Sequence, residues 1–122
     1  MKRLTWLAAS ALLTIASPVV AQQSKPVIYV IVEISDMTDV DTYMKQVTAT
    51  EPAASAAHNG HFVVRTNTAT ALDGTPPGRF VIAEFPNEAD ARAWYAATEK
   101  TNALRQKLSK SRAFFVEIPA AK

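Results

Sequence analysis

The chain has 122 residues, with 13 basic and 11 acidic side chains, two histidines and no cysteine. The absence of cysteine excludes disulfides, a thiol nucleophile and thiolate metal sites. At 48% hydrophobic residues, the composition suits one packed domain of ordinary size.

The chain opens MKRLTWLAASALLTIASPVVAQQ. Lys2 and Arg3 precede an apolar run, Leu4 to Ala16, that is too short to span a bilayer comfortably. Val19 and Ala21 are small residues at the two positions that a signal peptidase reads. Residues 1–21 are therefore expected to be a cleaved secretory signal, and residues 22–122 the mature domain. Cleavage removes two basic and no acidic residues, which leaves the mature chain formally neutral. A neutral surface lacks the field that gathers nucleic acid or anionic lipid, so neither is an expected partner. An exported domain without disulfides suits a bacterial periplasm.

Residues 27–34, VIYVIVEI, read as a β-strand, because they are β-branched, aromatic and uninterrupted. Asp36, Thr38 and Asp39 are candidate caps for a helix carrying Val40, Tyr43, Met44 and Val47 at helical spacing. Pro52 is expected to kink that helix or to start a second short segment. Asn59-Gly60 ends it in the manner of a left-handed cap. Residues 61–67 form a second strand, residues 71–78 a turn-rich loop, and residues 79–85 a third strand. Asn87, with Asp90 three residues on, caps a helix that holds Ala91, Trp94, Tyr95 and Thr98 on one side. Residues 102–110 continue as helix around Leu104 and Leu108, and residues 111–118 are the last strand. The order β-α-β-β-α-β predicts an α+β, ferredoxin-like antiparallel sheet with its helices on one face.

Strand residues alternate between faces, so each strand divides into two sets. The face under the helices is expected to hold Ile28, Val30, Val32 and Ile34; Phe62 and Val64; Val81, Ala83 and Phe85; and Phe114, Val116 and Ile118. The other face then carries Tyr29, Ile31 and Glu33; His61, Val63 and Arg65; Phe80, Ile82 and Glu84; and Phe115 and Glu117. That set is too apolar for water and too charged for ordinary core. A second copy of the sheet packed there would explain it, and so would a pocket with apolar walls and a few convergent polar groups.

The stretch RFVIAEFPNEADARAWYAA resembles the signature of a family of small bacterial domains of unknown function in the dimeric α+β barrel superfamily. The shared features are Glu84-Phe85-Pro86 running into a helix with Ala91, Trp94 and Tyr95. YVIVEI, the helix around Tyr43, and AAHNGHFVVR resemble the rest of the pattern, which covers essentially the whole mature chain. The resemblance implies a ferredoxin-like protomer that pairs sheet to sheet with its twin. The superfamily spans cofactor-free monooxygenases, isomerases, decarboxylases and haem-handling enzymes, so membership does not choose a reaction. Two departures stand out. His61 replaces a basic residue frequent after the turn glycine, and TEKTNALR lacks an aromatic frequent after the Trp-Tyr pair.

These readings converge on an exported homodimer that binds, and in one version transforms, a small, partly apolar organic molecule in a sheet-lined cavity. In the enzymatic version Glu84 or His61 abstracts a proton and Arg65 holds the developing anion. Tyr29, Glu33, Phe80, Tyr95 and Phe115 are the expected ligand-lining residues; Trp94 is expected in the core. No cofactor or metal is expected. Asn59-Gly60 breaks the helix between His58 and His61, and two imidazoles are a weak ligand set. A rival reading is an accessory protein whose open-face charges only set the register of the dimer. No Ser-His-Asp set, phosphate loop or dinucleotide fingerprint supports a hydrolase, NTPase or classical dehydrogenase.

Overall fold

The computed structural model describes residues 25–121. The expected signal segment, residues 1–21, lies outside the described residues. The strands are β1 (Val27–Ser35), β2 (His61–Thr66), β3 (Arg79–Phe85) and β4 (Lys110–Ile118). The helices are α1 (Val40–Gln46), α2 (Glu51–Ala56), α3 (Glu88–Ala97) and α4 (Glu99–Leu108), with a 3₁₀ turn at Thr48–Thr50. The sheet order is β2-β3-β1-β4, with all pairs antiparallel, as in a ferredoxin-like fold.

Local chemistry explains the boundaries. Asp39 adopts a left-handed conformation and accepts from the Thr42 N–H at 3.2 Å and the Thr42 hydroxyl at 2.7 Å, which starts α1. The same two bonds hold its carboxyl below the ordinary value. Pro52 sits in the first turn of α2, where its missing N–H costs nothing. Asn59, at φ 62, takes the left-handed position after α2. Gly60 serves a different purpose: a Cβ there would lie 2.3 Å from the Phe85 ring. Asn87 accepts from the Asp90 N–H at 2.8 Å and caps α3. Helix α4 begins at Glu99, earlier than its spacing predicted, directly after Thr98 closes α3.

The core lies between the sheet and the helices. Ile28, Val30, Val32 and Ile34 from β1 and Val81, Ala83 and Phe85 from β3 meet Tyr43, Val47, Ala91 and Trp94. Phe85 and Trp94 stack at a tilt with centroids 5.2 Å apart. These two central strands follow the expected alternation throughout.

The edge strands depart from it. In β2, His61 faces Glu84 and Phe62 faces Ala83, but Val64 faces Ile82 and Arg65 faces Val81. A β-bulge at Val63 inserts one residue and inverts the alternation beyond it. Val64 therefore leaves the helix side and Arg65 joins it. In β4, Ala113 pairs with Val32, Phe115 with Val30 and Glu117 with Ile28, so these three share the helix side. Phe114, Val116 and Ile118 pair with Ile31, Tyr29 and Val27 on the open face. The expected faces of β4 are thus reversed. Phe114-Phe115-Val116 is apolar throughout, so hydropathy gives no parity there; the small Ala113 packs against the core beside Val32.

Candidate functional site

Three places gather chemistry. The first is the open sheet face. His61 and Glu84 meet there at 2.9 Å, across the β2–β3 pairing. Glu33 accepts from Arg112 across the β1–β4 pairing. Half-buried Tyr29, Ile31, Phe80 and Ile82 lie between these ion pairs. Exposed Phe114, Val116 and Val63 extend the apolar surface. Each charged group has its partner within the sheet, so none is left to converge on a ligand.

Arg65 does not complete the expected catalytic trio. The bulge carries it beneath the helices, where its Nη2 donates to the Thr48 carbonyl at 2.6 Å and to Glu51 Oε2 at 3.1 Å. Its guanidinium also stacks 4.7 Å from the Phe62 ring centroid. Among the described residues no three metal-ligating side chains gather, around His61 or elsewhere.

The second place is a groove of about 490 Å³ between α3 and the β4 edge. Val30, Ala91, Ala96 and Ala113 form its floor and Tyr95 and Phe115 its aromatic walls, with Phe114 bordering it only at the β4 edge. Arg92 lies at its lip, with its guanidinium 4.9 Å from the Phe115 centroid and its Nε 2.7 Å from Glu88. Two expected ligand-lining residues, Tyr95 and Phe115, are thus brought together. The other three, Tyr29, Glu33 and Phe80, sit on the open face, across the sheet from them. The volume lies in the range of small-molecule sites.

The third place is a polar cluster under the helices that the strand and helix patterns had not singled out. Glu51 lies between Arg65 and Arg79, the latter at 4.0 Å. Arg79 donates to Asn67 at 2.8 Å. Arg105 reaches in from α4 and donates to Asn102 at 2.9 Å, Ser111 at 3.3 Å and the Tyr95 hydroxyl at 3.4 Å. Burial raises the Glu51 carboxyl above its ordinary value, against the pull of Arg65 and Arg79. Burial, reinforced by the Glu51 charge, pushes the Tyr43 phenol up to about 12. Two sequence signals point here. Arg79 lies two residues before Val81, on the same strand face. Asn102 and Arg105 continue the helical spacing of Trp94 and Thr98.

No curated protein matches the sequence. Among solved structures, the fold is similar to a Rhodopseudomonas palustris protein of unknown function, with a TM-score of 0.57 and 13% identity over 79% of this chain and 84% of that one. The methylated form of that protein gives a TM-score of 0.55 and 14% identity, over 80% and 84%. A conserved Bacteroides thetaiotaomicron protein of unknown function, described as a possible oxidoreductase, gives 0.48 and 15% identity over 79% and 99%. At 13–14% identity the likeness to the Rhodopseudomonas palustris protein shows fold alone. Residues 27–119, which span the sheet, the groove and the buried cluster, match the model of a domain of unknown function, and the chain belongs to that family, DUF1330.

Proposed function

We propose that the chain is an exported, homodimeric binding protein for a small, partly apolar organic anion, which it takes in the groove between α3 and β4. The observation that carries this reading is the groove itself: aromatic walls, an apolar floor and one guanidinium at the lip, in a volume of ligand size. Aromatic rings and an arginine suit a flat molecule with an acidic group. A proton-transfer role for His61 and Glu84 loses its anion-holding partner once Arg65 turns inward, so binding is favoured over chemistry.

Pairing is assigned to the open sheet face. Phe114, Val116 and Val63 expose apolar surface there, and a two-fold partner would cover it with its own copy. The internally satisfied pairs His61–Glu84 and Glu33–Arg112 then set register without leaving a charge unpaired.

Calorimetric titration with benzoate, an aromatic carboxylate, tests the groove. Saturable binding is expected, weakened about tenfold by Arg92→Ala, the loss of one charge-assisted contact. Phe115→Ala weakens it as well. Absence of benzoate binding, or equal affinity in both variants, overturns the groove as the site.

A further inference from the structure

Arg105 is 4% exposed, yet none of the ion pairs among the described residues includes it. Its acceptors are an amide, a serine hydroxyl and a phenol, all neutral. A buried guanidinium is ordinarily matched by a carboxylate, because desolvating an unanswered charge is costly. The wider cluster has the same imbalance: Arg65, Arg79 and Arg105 face the single carboxylate of Glu51.

The hydrogen-bond inventory leans the same way. Among the described residues, four buried polar atoms make no hydrogen bond: Tyr43 OH, Trp94 Nε1, Arg65 Nε and Arg79 Nε. All four are donors, and three of them donate only. The cluster has surplus N–H and O–H groups and too few acceptors. Such groups are nearly always satisfied in folded proteins, by protein atoms or by something held among them.

Arg105, Trp94, Glu51 and Asn102 line a narrow void of about 20 Å³, closed by Phe62 and Thr101. That is room for a water-sized or one-carbon group. Trp94 is 4% exposed, and its indole N–H is buried without a hydrogen-bond partner.

We infer that this void is an anion site that holds a compact monoanion, of halide or formate size, between the Arg105 guanidinium and the Trp94 indole N–H. The site is separate from the groove of the proposed function and does not depend on it. A compact anion supplies what the cluster lacks: a negative charge beside Arg105 and an acceptor for the indole. Glu51 also lines the void, but its carboxylate is engaged by Arg65 and Arg79, so the Arg105 charge is left for the guest.

The test is nuclear magnetic resonance of the full chain, following the indole N–H of Trp94. The chain has two tryptophans, and Trp6→Phe assigns the signal. Sodium chloride and sodium formate are titrated separately at constant ionic strength, with sulfate, too large for the void, as the balancing salt. A saturable shift of the Trp94 indole proton with chloride identifies a halide site, and one with formate a carboxylate site. Arg105→Gln abolishes the shift while the backbone spectrum stays native, and Arg105→Lys weakens binding about tenfold. Trp94→Phe, read by calorimetry with whichever anion binds, weakens affinity to a similar degree and serves if Arg105→Gln unfolds. An indole proton that exchanges with one bound water and ignores both anions overturns the assignment. Unchanged affinity in Trp94→Phe also overturns it.

Discussion

Arg65 and Glu51 meet at 3.1 Å beneath the helices, and the bond joins the β2 edge to the first turn of α2. The Glu51 side chain is 12% exposed, so the guanidinium replaces water that the carboxylate has lost. Arg65→Met should therefore cost about 3 kcal/mol at neutral pH, the expected range for removing one partner of a buried pair. The deficit should narrow on acidification. Glu51 already has a raised folded value, so its contribution is full below the ordinary carboxylate range and lost as pH rises through the raised one. Losing Arg65 raises it further, and protonation at low pH then relieves the unanswered charge. Adding Glu51→Gln to Arg65→Met should recover most of the loss at pH 7. Urea unfolding at several pH values checks all three outcomes, and a deficit independent of pH would count against this account.

Tyr43 offers a cleaner titration. It is fully buried, its hydroxyl makes no hydrogen bond, and its phenol is pushed up to about 12. In the unfolded chain the same group ionises near its ordinary value of 10.0. Between these values the folded state binds the extra proton, so stability falls as pH rises through the window. The full loss amounts to about 2–3 kcal/mol for a shift of this size. Tyr43→Phe should abolish that alkaline slope. At pH 7 it should be neutral or slightly stabilising, because it removes an unsatisfied buried polar group. Thermal melts from pH 8 to 12 on both proteins decide the matter.

Gly60→Ala should destabilise by about 1–3 kcal/mol, the usual cost of overpacking. The new methyl would lie 2.3 Å from Phe85, a fully buried ring that already packs on Trp94. Asn59→Gly, one residue earlier, should instead be tolerated, because Asn59 holds the left-handed position that glycine adopts freely. Denaturant midpoints of the two variants should differ in this order; the reverse order would show that the turn, and not the ring contact, controls the site.

The open face makes its own prediction. Phe114→Glu places a charge beside Ile31 and Val116 without touching the core. The proposed dimer should dissociate to monomer, by light scattering, while the melting temperature at high dilution stays within a few degrees. A protein that is monomeric before the substitution rejects the pairing outright.

Much of this architecture was legible in the sequence. Element order, the two central strands and the inward sets Ile28–Ile34 and Val81–Phe85 follow from alternation and β-propensity. The edge strands resisted for different reasons. Nothing in HFVVRT marks Val63 as the extra residue, since all three apolar residues fit either face. The bulge follows from how β2 pairs with β3, which is not a local property. In β4 the apolar triplet hides its parity, and only the pairing of Ala113 with Val32 settles it. The buried cluster was partly legible. Arg79 falls on the inward parity of β3, and Arg105 on the inward spacing that begins at Trp94. Glu51 carried no signal, because its burial depends on where Pro52 turns the chain.

The pairing of β1 with β4 has a further consequence. Val27 lies opposite Ile118, so the first and last strands of the domain are hydrogen-bonded neighbours. The sheet cannot close until its final strand is available, which gives the domain a high contact order and a slow folding step for its size. For a chain threaded through a membrane from its amino end, β1 would emerge with one edge bare until translocation finishes. The same proximity makes the domain a good subject for circular permutation: the ends can be joined by a short linker, and new ones opened in the exposed loop around Gly74. A permuted chain that starts at β3 would make β4 and β1 neighbours in sequence but would move the longest-range pairing to β2 and β3, so its refolding should be no faster than that of the natural order.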